Sequence, residues 1–198
     1  MKRVLITGII LASGFSRRME DEKLLLAVGG VPMVERVVRA AQSPLIAEGI
    51  LIYRRDAVKE IGKRYNLKTV YNPHAEEGQS AAVKLGISSA QPAADGFMFF
   101  VGDQPCLTQS TVNELIGIFA EKKSSVVVPL YRGRRGNPVI FPSLLRDTLL
   151  RLEGDCGGRT VIEGMENNIV LVPIDVGNEG NDIDTKADYE KMVRFPQH

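Results

Sequence analysis

The sequence predicts an α/β protein of three layers, with helices packed on both faces of an open, mostly parallel sheet. Three observations carry that expectation. Apolar β-rich runs alternate with segments of helical periodicity almost from end to end. The run Phe97 to Val101 is apolar at every position, as in a strand buried on both faces. The length, 198 residues, suits one domain with a sizeable core.

Each element follows in order. Val4 to Leu11 is an apolar first strand that ends in a glycine loop. Met33 to Ala41 places Met33, Val34, Val37, Val38 and Ala41 on one helical stripe. Ile50 to Tyr53 is a short strand, and Asp56 is expected to cap the helix that carries Val58, Ile61 and Tyr65. Thr69 to Tyr71 is a strand. Ser80 to Ala90 is a helix, with a plain cap by Ser80 the alternative to a ligand site at its start, and Phe97 to Val101 is the buried strand. Thr108 caps a helix through Ala120, and Ser125 to Leu130 is a strand. Beyond it come the polar loop Gly133 to Pro138, a strand Val139 to Phe141 and a helix Leu144 to Leu152. A second glycine-rich loop spans Gly154 to Arg159. A strand Ile169 to Ile174 and a closing helix Lys186 to Val193 complete the chain.

Composition excludes several classes. Charged residues are 25% and the formal net charge is +1, so no global field points to nucleic acid. Any phosphate site must be local. Cys106 and Cys156 match neither a zinc pattern nor a disulfide framework, which suggests a reducing, cytoplasmic setting. Lys2 and Arg3 before the apolar run Val4 to Ala12 give a faint signal-peptide pattern. Gly8 and the charges from Arg17 to Lys23 favour a buried strand instead. No apolar stretch approaches the roughly 20 residues of a membrane span.

Five constellations point to chemistry. Leu11, Ala12, Ser13 and Gly14 open a loop whose small residues let backbone approach a ligand, and Arg18 and Lys23 add positive charge suited to a polyphosphate. The spacing is neither a P-loop nor G-x-G-x-x-G. Gly102-Asp103-Gln104-Pro105 places a carboxylate just past a buried strand, on the edge where such sheets bind ligands. One carboxylate with phosphate oxygens and waters makes a typical Mg²⁺ site. Asp182-Ile183-Asp184-Thr185 can turn two carboxylates toward one site, with Asp184 or Thr185 also able to cap the last helix. Asn72-Pro73 with Gly78-Gln79-Ser80 sets a polar turn at a helix start, whose free amides and dipole suit a polar ligand. The two later loops, with Asn137, Asp155 and Arg159, could hold an anionic second substrate. The histidines, His74 and His198, support no His-based site.

Together these motifs resemble the molybdenum cofactor cytidylyltransferase group within the nucleotidyltransferases, over nearly the whole chain. Leu11, Ala12, Gly14, Ser16, Arg18, Met19 and Lys23 meet that group's opening pattern. The tract from Lys23 to Met33, Asn72-Pro73, Gly78-Gln79-Ser80, Gly102 to Pro105, Gly136 to Val139, Gly154 to Arg159 and Asp182 to Thr185 follow in order. The resemblance implies a Rossmann-like, nucleotide-diphospho-sugar-transferase-like sheet. It implies a nucleotide-binding half of about residues 1–105 and an acceptor-binding half of about residues 106–198. It implies transfer of CMP from CTP to the phosphate of molybdopterin, with pyrophosphate leaving. In that scheme Arg18, Lys23 and Asp103 are catalytic. Leu11, Ala12, Ser13, Gly14, Asn72, Gly78 and Ser80 bind the nucleotide with them. Mg²⁺ sits on Asp103 and Asp184, with Asp182 the alternative to Asp184. Asn137, Asp155 and Arg159 bind the acceptor. GTP as the nucleotide, a sugar phosphate as the acceptor, or a non-catalytic escort for a molybdenum hydroxylase apoenzyme are the alternatives. Two positions depart from the group. Glu20 replaces its glycine. Ser13 stands where cytidine users tend to have Ala and guanosine users Gly, so the expectation of CTP rests on the Gly-Asp-Gln-Pro and Gly-Asn-Pro-Val motifs.

Overall fold

The computed structural model describes residues 4–15, 19, 22–165, 168–175, 177 and 179–194. In chain order the elements are β1 (Ile6–Ala12), β2 (Ala27–Val28), β3 (Val31–Pro32), α1 (Met33–Ala40), β4 (Ile46–Tyr53), α2 (Asp56–Arg64), β5 (Lys68–Tyr71) and α3 (Gln79–Ser89). They continue with β6 (Gly96–Val101), α4 (Gln109–Glu121), β7 (Val126–Tyr131), β8 (Arg134–Arg135), β9 (Val139–Pro142), α5 (Arg146–Leu150), α6 (Gly158–Glu163), β10 (Ile169–Ile174) and α7 (Lys186–Arg194).

The main sheet has the order β10-β7-β9-β6-β1-β4-β5, with β8 paired to β7. β1 pairs in parallel with both β4 and β6, as do β4 with β5 and β7 with β10. β9 runs antiparallel between β6 and β7. The alternation of strand residues divides the core between two faces. Ile6, Ile10, Met98 and Phe100 face α1, α2 and α4, while Ile9, Phe97 and Phe99 face α3, α5 and α6. α3 approaches β1 closely because Gly86 lacks a Cβ, which would lie 2.5 Å from Ile9 Cγ2. This sets the start of α3 beside the end of β1.

Thr108 caps α4 as expected, accepting from the Thr111 amide at 3.3 Å. Two other candidate caps are corrected. Asp56 is the first residue inside α2. Arg55 flanks it in extended conformation, and its carbonyl takes the Val58 and Lys59 amides. Asp56 therefore contributes charge near the helix start and no cap. Ser80 is likewise inside α3, buried, with its hydroxyl lacking a hydrogen-bond partner among the described residues. The expected loop Gly154 to Arg159 also differs, because its end winds into α6.

Candidate functional site

The carboxyl ends of β1 and β6 open onto a cavity of about 500 Å³. Leu11, Ser13 and Gly14 form one wall, and Val101, Gly102 and Asp103 another. Ligands of open α/β sheets bind at this edge. The Ser13 side is stiffened from behind. Asn72, itself buried, donates from Nδ2 to Ser13 Oγ at 2.9 Å, and its Oδ1 accepts the His74 amide at 3.0 Å. Asn72 thus supports the wall without lining the cavity, and Ala12 points into the core.

Lys23 is the charged centre. Its Nζ donates to Asp103 Oδ2 at 2.8 Å and to Asp184 Oδ1 at 3.0 Å. Burial alone would lower its pKa, but the adjacent Asp103 charge and the two carboxylate bonds outweigh this and raise it. The ammonium therefore stays charged. Arg36 steadies the loop after β6 from α1, with Nε donating to the Pro105 carbonyl at 2.8 Å and Nη1 to the Val28 carbonyl at 3.2 Å.

The acidic segment near the C-terminus is held by Ile183. It is buried against Val28, Met33 and Met192, and its amide donates to the Asp103 carbonyl at 3.1 Å. Its flanking carboxylates then part company. Asp184 faces Lys23 and the first cavity, whereas Asp182 Oδ1 accepts from Gln104 Nε2 at 2.8 Å and lines a second cavity. The expectation that both face one site is thus corrected. Residues 181–184 are not a regular strand, so strict alternation does not apply. Desolvation of the Asp182 carboxyl, reinforced by the Asp103 charge, pushes its pKa up to about 6. Capping falls to Thr185. Its hydroxyl accepts the Asp188 amide at 3.2 Å, and Asp188 Oδ2 accepts the Thr185 amide at 2.9 Å. Those Thr185 bonds, led by the hydroxyl, hold the Asp188 carboxyl below the usual carboxylate range.

The second cavity, about 660 Å³, shares Leu11, Gln79 and Val101 with the first. Its polar lining includes Gln104, Arg134, Arg135, Asn137 and Arg159, over an apolar floor with Phe99, Val128 and Phe141. Arg159 also pairs with Glu163 at 3.1 Å.

The structure thus gathers Leu11, Ser13, Gly14, Lys23, Gly78, Asp103, Asp155 and Asp184 on the first cavity, and Asn137, Arg159 and Asp182 on the second. Asp155 is separated from the other two residues expected to hold the acceptor. Arg18 and Glu20 lie outside the described residues. Arg134 and Arg135 belong to the loop expected to hold the acceptor and line the second cavity. Gln79 and Gln104 line cavities but were not assigned from sequence, although both sit within recognised motifs, the signal that could have marked them. Among the described residues no three His, Cys, Asp or Glu side chains converge to hold a metal, and none of the helices is long and apolar enough to cross a membrane. The donors that do meet at the first cavity are Asp103 and Asp184. Two hard carboxylates beside open space suit a Mg²⁺-like ion completed by phosphate oxygens and water.

Comparison with known proteins agrees with this geometry. Residues 8–169 match the family described as the MobA-like NTP transferase domain. The purine catabolism protein PucB of Bacillus subtilis (strain 168) is 30% identical, across 98% of this chain and 98% of that protein. A probable molybdenum cofactor guanylyltransferase of Natranaerobius thermophilus is 25% identical over 65% of this chain and 62% of its own length. The crystal structure of Rv0371c from Mycobacterium tuberculosis H37Rv superposes with a TM-score of 0.85 at 24% identity, covering 98% of this chain and 100% of that one. The manganese complex of Rv0371c gives 0.82 at 22% identity, covering 96% and 99%. At such identities these two likenesses show the fold.

Proposed function

The chain belongs to the MobA-like NTP transferase domain family, and from that premise we propose that it transfers CMP from CTP to the terminal phosphate of molybdopterin. Nucleotidyl transfer is the family's chemistry; the nucleotide and the acceptor are the finer reading. The observation that carries it is Lys23 clasped by Asp103 and Asp184 in a cavity that opens onto a second, arginine-lined one.

In this reading about residues 1–105 bind the nucleotide and about residues 106–198 the acceptor. The Leu11 to Gly14 backbone lies against base and ribose, with Asn72 fixing Ser13 from behind. Lys23 and Arg18 contact the triphosphate. Arg134, Arg135 and Arg159 draw the anionic acceptor into the second cavity, and its apolar floor suits a flat pterin body. The shared wall of Leu11, Gln79 and Val101 is where the reactants meet. An acceptor phosphate oxygen bonds to the α-phosphorus, the bond from that phosphorus to the bridging oxygen breaks, and pyrophosphate leaves. The nucleophile is already ionised and needs no general base. The chain's work is positioning and charge neutralisation. Mg²⁺, when bound by Asp103 and Asp184, would supply charge neutralisation at the triphosphate oxygens. That Rv0371c was crystallised with manganese supports a divalent ion in this fold. The free thiols of Cys106 and Cys156 fit a cytoplasmic setting.

A second reading, guanylyl transfer, is favoured by the relative described as a molybdenum cofactor guanylyltransferase. Pyrophosphate release from each NTP, with and without molybdopterin, separates the readings. Release with CTP that requires molybdopterin is the expected result. A clear preference for GTP replaces CMP by GMP in the scheme. Tight binding of molybdopterin with no release from any NTP would show an escort for a molybdenum hydroxylase apoenzyme and sink the catalytic reading.

A further inference from the structure

The loop that precedes α6 crosses between the two cavities, and the crossing is close. Asp155 Oδ1 accepts the Gln79 amide at 3.2 Å, and the Gly154 carbonyl accepts the Ser80 amide at 3.3 Å. These are the first two amides of α3, so the helix start is satisfied by a distant part of the chain. The carboxylate also suits the positive end of the helix. Glycine stands on both sides of the contact. Gly78 has φ of +94°, and a Cβ there would lie 2.6 Å from Asp155 Cα. A Cβ on Gly157 would collide with the Gln79 side-chain amide. Gln79 lines both cavities. The loop then runs straight into α6, which offers Arg159, Ile162 and Glu163 to the second cavity.

We propose that Asp155 is a positioning residue of the nucleotide cavity, and that its loop couples the filling of the two cavities. The inference rests on the two-substrate reading above. An anionic acceptor that settles α6 also settles the Gln79 wall against the nucleotide, and the nucleotide does the same in return, since such coupling is reciprocal. Because the Asp155 carboxylate and the Gly154 carbonyl take the first two amides of α3, that helix end disfavours phosphate. The triphosphate is left to the Lys23 side of the cavity.

The test is calorimetric binding of non-hydrolysable CTP and GTP analogues to the full chain with Mg²⁺, with and without molybdopterin. Wild type, Asp155→Asn, Asp155→Ala and Gly157→Ala are compared, each checked to be folded by a single cooperative unfolding transition above the assay temperature. Molybdopterin is expected to tighten analogue binding to wild type by about 5-fold or more. Asp155→Asn keeps an acceptor oxygen and retains most of this coupling. Asp155→Ala binds the analogue more weakly and loses the coupling, and in turnover its KM for nucleotide rises far more than its kcat falls. Gly157→Ala displaces Gln79 without touching the cap and also weakens the coupling, so it decides the matter should the alanine variant at 155 fail to fold. Undiminished coupling in the folded variants, or none in a wild type that binds the analogue, overturns the inference. Loss in Asp155→Asn equal to that in Asp155→Ala overturns the capping role. A wild type that binds neither analogue sinks the two-substrate reading, and this inference with it.

Discussion

Lys23 meets two carboxylates that lie 80 and 161 residues further along the chain, and the cavity takes its character from that meeting. One ammonium cannot neutralise both Asp103 and Asp184, so the cluster keeps net negative charge suited to a divalent cation. Removing Lys23 leaves that charge uncompensated and, in the proposed reaction, would strip a cation from the triphosphate. Lys23→Ala is expected to lower kcat/KM by about 10²-fold, the scale of losing one preorganised electrostatic group. Steady-state kinetics at saturating Mg²⁺ checks this, and a few-fold loss would contradict the role. Residue types and motif order were enough to single out Lys23, Asp103 and Asp184 from sequence. The parting of Asp182 from Asp184 was not legible, because it depends on how Ile183 is seated against Val28, Met33 and Met192. The settings of Ser80 and Asp155 were not legible for a related reason. A serine before a helical run reads as a cap, and nothing local tells that a carboxylate some 75 residues away takes the neighbouring amide.

At the level of elements, α1 and α2 are tied by Glu35. Its buried carboxylate accepts from Arg39, Arg64 and Tyr65, each at 2.8 Å. Burial alone would raise its pKa, but the bonds from Arg39 and Tyr65 and the Arg64 charge outweigh this and hold it below its ordinary 4.5. A depressed carboxylate stabilises the fold above that ordinary value, and the contribution fades as pH falls through the folded value. Glu35→Gln is expected to cost about 1–2 kcal/mol at neutral pH, discounted because both arginines are largely exposed. Urea unfolding at about pH 7 and about pH 3.5 should show the gap between variant and wild type shrinking in acid. A gap independent of pH would contradict this account. Helical stripes such as that of α1 were plain in the sequence because the 3.6-residue period is local. α6 was hidden within a glycine-rich stretch, since Gly157 and Gly158 serve close approach to Gln79 and Phe141 rather than a turn.

For the whole molecule, alternating apolar runs were enough to foresee a layered, mostly parallel sheet. They could not show that β9 inserts antiparallel between β6 and β7, because strand order is set by packing across the chain. That order matters to function. It sets the edge bearing Leu11 and Val101 beside Val128 and Val139, so the two cavities share a wall. The central claim is that a nucleotide is transferred across that wall at the Lys23, Asp103 and Asp184 cluster. The most direct measurement follows the label of α-phosphate-labelled CTP onto molybdopterin in a single turnover with Mg²⁺, in wild type and in Asp103→Ala. The account predicts label on the acceptor in wild type and a loss of about 10²-fold or more in the variant. Label that never leaves the nucleotide, or an Asp103→Ala rate within a few-fold of wild type, would contradict it.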